Sequence, residues 1–494
     1  DMNKEIDRHL FFGTLGFNFQ ESKFNTESFT VQGFPNPRLD QLTLGNQFPL
    51  NSKPTGTESI ARLIGYLANL SYAFDSRYLV DLSGRLDGSS QFGTEKRMAP
   101  FWSAGIGWNL HNERWFRYAD VVNRLKLRYS FGYTGSQNFE SFLGLPTSRY
   151  YTSQEYRGVI GTYLLGFGNR SLAWQKTAKS NFGADITLWN RLDMTVNYFV
   201  ETTKGSIGSV ATAPSTGFSS YSENIGDLSS EGWELAARLN LISKPTGRDM
   251  WAVFVNAFSV KTKIKQVSNT LEEMNKAANS SYSSKPLTRY AVGQSTTAIW
   301  AVPSLGIDPS TGLEIFVNRE GKLTTVWNPL DQVITGDARP DVEGTFGSNV
   351  EIKGIGMNVY FRFRVGGQAY NQTLVDRVEN VAFQYYNVDR RVNDERWLQP
   401  GDHTFFRGLV NQGGVSNVVT YATSRFVQND NLLSCESLSV YYRFPDQLNK
   451  RLGVQQTKIT FFTGNLFRIS GIDRERGLDY PFSHTYTLQL QTTF

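Results

Sequence analysis

The sequence predicts an all-β protein, specifically a transmembrane antiparallel β-barrel, and three observations predict it. Apolar and polar residues alternate with a period of two along many segments, as on strands whose two faces meet different environments. About fourteen segments show this pattern, and each is near the ~10 residues that a tilted transmembrane strand needs. The connections between them are alternately short and long, as in bacterial barrels.

The last segment shows the alternation most clearly. Tyr486, Leu488, Leu490 and Phe494 fall on one face, and only Thr and Gln fall on the other. Aromatic residues at strand ends suit the boundary between water and lipid. We therefore predict membrane-interface positions for three residues: Tyr78, Phe444 and Phe494.

The earlier segments repeat the pattern with full charges on the polar side. In 122–134, Leu125, Leu127 and Tyr129 oppose Lys126 and Arg128. Such charges are too numerous for a packed core, so we predict that they line a water-filled lumen. A soluble sandwich also alternates, but repetition over this length without a second layer of helices favours the barrel. The predicted lumen-facing charges are Asp81, Arg85, Asp87, Lys126, Arg128, Asp185, Arg362 and Arg364.

The predicted strands cover the chain from end to end as a single barrel portion, 1–494. They are 9–21, 59–74, 77–88, 98–110, 122–134, 172–189, 191–204, 226–243, 250–261, 342–353, 355–368, 432–444, 454–464 and 484–494.

The connections orient these strands, because barrels have short periplasmic turns and long extracellular loops. Counting back from Phe494, every second connection is short, and residue 1 is predicted near the periplasmic side at the start of an upward strand. The predicted short connections are 75–76, 111–121, Asn190, 244–249, Gly354 and 445–453. The predicted long loops are 22–58, 135–171, 205–225, 262–341, 369–431 and 465–483, with a modest loop at 89–97.

Composition excludes several other classes of protein. The mean hydropathy is −0.37, and no apolar run approaches the roughly 20 residues of a spanning helix. The single Cys435 excludes an internal disulfide framework, and the four histidines lack a metal-ligand spacing. Basic residues are interspersed with acidic ones, so no nucleic-acid partner is expected. We also predict no metal, no cofactor and no enzymatic activity, because neither a nucleophile motif nor a catalytic carboxylate pair stands out.

The N-terminus is polar and charged, and it does not resemble a signal peptide. Because an outer-membrane protein must be exported, we expect this chain to be part of a longer polypeptide. Large plugged transporters have 22 strands. The fourteen strands predicted here would then be completed by further strands, and the plug would lie outside this chain.

The long loops contain clustered aromatic residues. Such side chains stack on the apolar faces of sugar rings, which predicts ligand contact. The alternative, which we favour, is that they form the cores of the loops or contact a partner protein. These residues are Tyr150, Tyr151, Trp300, Trp327, Tyr385, Tyr386, Trp397, Phe405 and Phe406.

Several motifs, in order along the chain, resemble those of the SusC/RagA family of TonB-dependent outer-membrane transporters, which is common in Bacteroidota. The stretch NDNLLSCESLSVYYRFP at 429–445 is similar to the family's penultimate-hairpin motif. The other matching stretches are LAWQKT at 172–177, GDLSSEGWE at 226–234, GDARPD at 336–341, GGQAYN at 366–371, GNLF at 464–467 and Tyr480-Pro481.

The resemblance implies a nutrient importer in the outer membrane of a Gram-negative bacterium. Members of this family form a barrel that an N-terminal plug occludes, and a SusD-like surface lipoprotein closes over it. They import oligosaccharides or oligopeptides, with energy supplied by TonB through an N-terminal part that this chain lacks. A dimer of the transporter–lipoprotein pair is compatible with the resemblance. A siderophore or cobalamin receptor, and a non-transporting outer-membrane β-barrel scaffold, remain the alternatives.

Overall fold

A computed structural model gives the structure of the protein. It describes residues 1–36, 38, 41–50, 54–92, 97–118, 120–136, 146–166, 168–211, 220–243, 249–267, 269–380, 388–408, 419–472 and 484–494.

Strands dominate the described residues. In chain order they are β1 (Met2–Ile6), β2 (His9–Ser28), β3 (Thr55–Phe74), β4 (Tyr78–Ser89), β5 (Met98–Asn109), β6 (Val122–Ser136), β7 (Thr147–Tyr156), β8 (Val159–Gly166), β9 (Gln175–Leu188), β10 (Leu192–Ala211), β11 (Ser220–Ser243), β12 (Met250–Val267), β13 (Ala298–Ala301), β14 (Ser304–Ile307), β15 (Glu314–Val317), β16 (Leu323–Thr324), β17 (Val333–Asp337), β18 (Val342–Ile352), β19 (Ile355–Val365), β20 (Gln368–Tyr370), β21 (Val427–Asn429), β22 (Leu432–Arg443), β23 (Gln456–Ser470) and β24 (Tyr486–Thr493).

One large sheet contains fifteen of these strands, and every neighbouring pair in it is antiparallel. Its order is β1-β2-β3-β4-β5-β6-β9-β10-β11-β12-β18-β19-β22-β23-β24. Except for the skipped β7–β8, β13–β17 and β20–β21, the strands follow chain order, which is the up-and-down arrangement of a barrel wall. The predicted all-β fold class is confirmed.

All fourteen predicted segments are strands of this sheet, but the predicted count is wrong by one. The additional strand is β1, which pairs with β2 from Met2 opposite Gly13 to Ile6 opposite His9. It is only five residues long and contains two charges, so its alternation is too short to detect in the sequence. The prediction for residue 1 is therefore also wrong, because β1 runs toward the short-turn end and the upward strand begins at His9.

The short connections form tight hairpins. Both central residues have positive φ at Asp75-Ser76, Trp189-Asn190 and Lys353-Gly354. This is the signature of a type I′ turn, whose twist matches that of the flanking strands. These turns define the short-turn end of the sheet, as the alternation of loop lengths predicts.

The strands extend further into the long loops than predicted. For example, β2 and β3 pair up to Ser28 and Thr55, and β10 and β11 pair up to Ala211 and Ser220. Residues 205–211 and 220–225 of the loop predicted at 205–225 therefore belong to these two strands. The loop predicted at 135–171 contains the separate hairpin β7–β8.

Cross-strand registers give the sheet one apolar and one polar face, because residues directly opposite in an antiparallel pair share a face. On the apolar face, Met357, Val440, Phe461 and Leu488 form one row across four strands. All four side chains are exposed. On the polar face, a comparable row of directly opposed residues crosses six strands. Its members are Asp185, Thr195, Ala236, Asn256, Thr345 and Arg362.

Helices are few and short. They are α1 (Asn269–Asn279), α2 (Gln372–Leu374), α3 (Arg391–Asp394) and α4 (Asp446–Arg451), with a π-helical turn at Val375–Glu379 and 3-10 turns at Leu42–Leu44, Leu110–Asn112, Pro329–Asp331 and Ser424–Phe426. Over the described part of the chain, none of the helices combines the length and apolarity needed to cross a bilayer.

The assignment of faces can be tested on two adjacent residues of β9. Phe182 lies on the apolar face, 54 % exposed and 4.5 Å from the ring of Tyr129, whereas Asn181 points to the polar face. We expect Phe182→Arg to cost about 2–4 kcal/mol of folding free energy in a bilayer, because it places a charge near the membrane midplane. Asn181→Arg is the matched control and should have a much smaller effect.

Urea unfolding in lipid vesicles, followed by the heat-modifiable mobility of the folded barrel, measures both variants. Equal destabilisation by the two substitutions, or greater destabilisation by Asn181→Arg, would contradict the assignment.

Candidate functional site: the polar face and the loop cap

Charges on the polar face pair with each other across neighbouring strands. Arg128 Nε lies 3.0 Å from the carboxylate of Asp185, and its Nη2 donates to Asn197 Oδ1 at 3.2 Å. Asp185 also accepts a hydrogen bond from Thr195. Together these contacts join three strands, β6, β9 and β10, on the face that carries the predicted lumen-facing charges.

A second group of charges lies at the long-loop end of β18 and β19. Glu343 is 3.6 Å from Arg362 and 3.7 Å from Arg364, and Arg364 also pairs with Asp430. Nearer the other edge of the sheet, Arg85 pairs with Asp87 at 2.8 Å. Asp81 and Lys126 lie on the same face by register, opposite Gly105 and Asp185. That this face borders a passage remains a prediction.

The two longest loops fold into one body, which we call the cap. It comprises the described parts of 269–341 and 366–431 and lies at the long-loop end of the sheet. Val302 donates its N–H to Ala422 O at 3.2 Å, and Ser424 donates to Val302 O at 2.9 Å. Trp327 Nε1 also donates to Ala422 O, at 3.0 Å. Backbone contacts between residues about 120 positions apart make the two loops a single structure.

The cap has a hydrophobic core of its own. The side chains are almost completely buried, and Tyr370 packs against them. Burial of apolar side chains such as these is the main source of stability for an ordered loop structure. The core residues are Leu374, Val375, Val378, Val392, Phe406 and Phe426.

A buried ion network crosses this core and is centred on Arg425. Its Nη2 lies 2.8 Å from Glu314 Oε2 and 2.7 Å from Glu379 Oε1. Thr423 and Thr420 donate to the same two carboxylates, at 2.7 and 2.9 Å. The side chains of Arg425, Glu314 and Glu379 are 4 % exposed or less. Burial alone would lower the pKa of Arg425, but Glu379 and Glu314 raise it above its usual value, so its charge is retained.

Arg396 is the largest fully buried side chain of the described residues. Its guanidinium donates to the backbone carbonyls of Val392, Val378 and Arg407, and its carbon lies 5.9 Å from the ring centroid of Phe406. It therefore holds the π-helical turn, α3 and the residues after Phe406 together.

The network was not predicted from the sequence. Glu314 and Arg425 are 111 positions apart, and neither lies within one of the sequence motifs. Near the network, the residues recognisable from the sequence are Gly366, Gly367 and Tyr370, because they belong to the GGQAYN motif.

The structure separates the predicted aromatic contact residues into two groups. Trp327 and Phe406 are buried, at 8 % and 1 % exposure, which supports the loop-core interpretation for these two. Trp397 is partly buried and donates from Nε1 to Pro309 O at 2.8 Å. Trp300 is partly buried beneath the guanidinium of Arg289, whereas Phe405 is 37 % exposed. Ligand or partner contact remains a prediction for Trp300, Trp397 and Phe405.

The other four predicted aromatics cannot be placed in the same way. Tyr150 and Tyr151 lie in β7, but their side chains are outside the described part of the structure, and Tyr385 and Tyr386 lie outside the described residues.

Two of the sequence motifs pack against each other at the base of the cap. Gly366 and Gly367 have φ of 71° and 75°. A Cβ on Gly367 would lie 2.9 Å from Pro340 Cα, so the GGQAYN stretch can approach the GDARPD stretch only through glycine. Asp337 closes the contact, because its N–H donates to Gln368 Oε1 at 3.2 Å.

The LAWQKT motif forms a smaller cluster beneath another loop. Trp174 stacks on Phe92 with ring centroids 4.2 Å apart and meets the edge of Phe101 at 5.4 Å. Its Nε1 donates to Arg97 O at 3.1 Å. The motif thereby fastens the loop after β4 to the residue before β9.

The described residues contain no group of three or more His, Cys, Asp or Glu side chains arranged to hold a metal ion. Cys435 is a buried free thiol in β22.

The predicted membrane-interface residues lie at the short-turn end. Tyr78 begins β4, and Phe444 follows β22 with its ring 5.5 Å from that of Tyr442. Phe494 is 85 % exposed, and the neighbouring Thr493 accepts from the N–H of Gln455 at that same end. Their contact with lipid remains a prediction.

Comparison with known proteins identifies the family to which this architecture belongs. The sequence model described as TonB dependent receptor-like, beta-barrel matches residues 1–303. The chain belongs to this family. The TonB-dependent receptor P39 of Formosa agariphila is 24 % identical over 94 % of this chain and 48 % of its own length. The TonB-dependent receptor SusC of Bacteroides thetaiotaomicron is 26 % identical over 87 % of this chain and 44 % of its own.

A solved structure described as the RagAB peptide transporter has the same fold. The TM-score is 0.84 at 20 % identity, and the match covers all of this chain and 54 % of that one. The SusC/RagA type predicted from the motifs is confirmed. TonB-dependent receptor barrels are outer-membrane proteins. The chain spans about half the length of the curated relatives it matches.

Replacement of Arg425 tests the buried ion network of this receptor barrel. We expect Arg425→Gln to destabilise the cap by about 3–5 kcal/mol, because it leaves Glu314 buried without its cation and leaves Glu379 with only the more distant Arg407, at 3.6 Å. Arg390→Gln is the control, since its side chain is 90 % exposed and its ion pair is with Asp394, which is also exposed. Hydrogen–deuterium exchange of cap peptides measures the change. Equal protection in the two variants would show that the network does not stabilise the cap.

Substitution of Gly367 tests the contact between the two motifs. Gly367→Ala combines a strained positive φ with a clash against Pro340, and we expect a loss of about 1–3 kcal/mol in cap stability. Gly321→Ala is the control, because Gly321 has φ 80° but open space around the added Cβ. Limited proteolysis of the cap compares the two. If both variants are cleaved at the same rate, backbone strain alone accounts for the effect and the motif contact contributes nothing.

Proposed function

We propose that the protein containing this chain is an outer-membrane active importer of oligomeric nutrients, either oligosaccharides or oligopeptides. The observation that carries the proposal is the combination of a two-faced antiparallel sheet with a folded cap at its long-loop end. The apolar face suits lipid, the charged face suits a watery interior, and the cap provides a structured surface at the end where the family's ligands enter.

The proposal assigns further parts to the complete transporter. By its resemblance to the SusC/RagA family, a plug and a TonB-contacting segment belong to the remainder of a longer polypeptide. The remaining barrel strands, about seven in a 22-stranded barrel, would join this sheet. A SusD-like surface lipoprotein would close over the cap end. The similar fold of the RagAB peptide transporter supports an oligomeric nutrient as the substrate. It does not decide between oligopeptides and oligosaccharides.

Uptake by whole cells tests the proposal. Cells lacking the intact gene should lose uptake of one pool of labelled oligopeptides or oligosaccharides. Inactivation of TonB should cause the same loss, because passage through a plugged barrel requires energy. Uptake that survives the loss of TonB would contradict active import, and loss of iron–siderophore or cobalamin uptake alone would favour the other receptor class.

The partner has a separate test. A surface lipoprotein should co-purify with the tagged, full-length protein from membranes, and the recovery should fall in the Arg425→Gln variant but not in Arg390→Gln. Purification of the transporter without any lipoprotein from cells that express both genes would contradict the lid.

A further inference from the structure

The connection between β5 and β6 carries an unusual pattern of arginines and aromatics. Arg114, Trp115, Phe116, Arg117 and Tyr118 follow one another at the short-turn end of the sheet. Trp115 and Tyr118 are 59 % and 71 % exposed, and both arginines are exposed as well. We call residues 114–118 the aromatic segment. Large exposed aromatic side chains require an explanation, because water solvates them poorly.

The segment is attached to the apolar face of the sheet, through Glu113. The carboxylate of Glu113 accepts from Tyr78 Oη at 2.8 Å and from Trp108 Nε1 at 3.0 Å. These bonds, that of Trp108 first, lower the pKa of the Glu113 carboxyl, so it is ionised at neutral pH. Trp115 then meets the edge of Trp108 with ring centroids 6.4 Å apart.

Tyr78 and Trp108 belong to a row of rings on the apolar face. The registers place Tyr78 opposite both Phe74 and Trp108, and Phe74 opposite His9. The ring chain continues from Trp115 to Phe116 and Tyr118, each contact being edge-to-face at 6.4 and 6.2 Å. The aromatic segment therefore prolongs this row beyond the end of the strands.

Two side chains just before the aromatic segment hold the connection to the elements next to it. Asn112 Nδ2 donates to Ser76 O at 3.0 Å in the neighbouring hairpin, and His111 Nδ1 lies 3.1 Å from Leu125 O on β6. Because residues 111 and 112 are fixed to the neighbouring elements, less backbone conformational entropy remains to be lost when the aromatic side chains bind.

We propose that the aromatic segment docks on the phosphate headgroups of the periplasmic-side phospholipid leaflet. Its rings would lie among the headgroups, and the guanidinium groups of Arg114 and Arg117 would bind phosphate oxygens. Trp and Tyr prefer this depth of a bilayer, and guanidinium matches phosphate with two parallel hydrogen bonds. Continuity with the apolar face favours lipid over a periplasmic protein as the occupant. The inference rests on the proposed outer-membrane function.

Depth measurements by electron paramagnetic resonance test the docking. The full-length protein, with Cys435→Ala and with any cysteine of the remaining polypeptide also replaced, is reconstituted in vesicles of phosphatidylethanolamine and phosphatidylglycerol. Spin labels are attached through Tyr118→Cys, Phe182→Cys and Glu320→Cys in separate samples. Collision with oxygen reports exposure to lipid, and collision with a water-soluble nickel chelate reports exposure to water.

We expect the label at 118 to lie at headgroup depth, between the deep label at 182 and the aqueous label at 320. A label at 118 as accessible to nickel as that at 320, with 182 still deep, overturns the docking and leaves the proposed function intact. Shielding of 118 from both oxygen and nickel overturns it in favour of contact with protein. Exposure of 182 to water contradicts the membrane assignment itself.

Charge removal tests the phosphate contacts. Arg114→Gln with Arg117→Gln should shift the label at 118 toward the nickel accessibility of position 320. Arg390→Gln with Lys322→Gln removes the same charge from the exposed cap and should leave the label at 118 unchanged. An equal response to both pairs overturns a specific role for the two arginines.

Discussion

The continuous antiparallel ladder is the constraint on which the rest of the structure depends. A bilayer core contains no water to satisfy backbone N–H and C=O groups, so a chain can cross it with strands only if each strand pairs with its neighbours. In the described part of the chain, thirteen of the fifteen strands pair on both sides in near-sequential order, and β1 and β24 each pair on one side. Once the backbone is paired, alternate side chains must face opposite sides, and the two-faced pattern of the sequence follows.

The cap obeys a different rule from the wall. Its strands are only two to five residues long, and it is organised around a small apolar core with Arg425, Glu314 and Glu379 paired beside it. A buried charge is costly unless it is fully paired, and such a network tolerates few alternative arrangements. The cap thus presents a defined surface, whereas a loop of similar length without a core would sample many conformations.

The sequence predicts the wall well and the cap poorly, for physical reasons. Alternation is a local signal, so the segment around Phe182 and the turn at Trp189-Asn190 are recognisable from a few residues. β1 escapes detection because five residues give too few alternations, and the ends of β2, β3, β10 and β11 escape because polar residues occupy both faces there. The network of Arg425 joins residues more than 100 positions apart, and no local pattern encodes such a contact. For the same reason, the sequence allowed two interpretations of Trp327 and Phe406, ligand contact or burial in a loop core, and could not decide between them.

The position of the cap has a consequence for the order of assembly. One of its halves precedes the hairpin β18–β19 in the chain, and the other follows it. That hairpin closes through the two-residue turn Lys353-Gly354, and its formation costs little chain entropy. The contact of Val302 with Ala422 closes a far longer loop, which makes it intrinsically slower to form. We therefore expect folding to proceed from wall to cap, so that a chain stalled in the membrane before β22 is added would expose the first half of the cap without its partner.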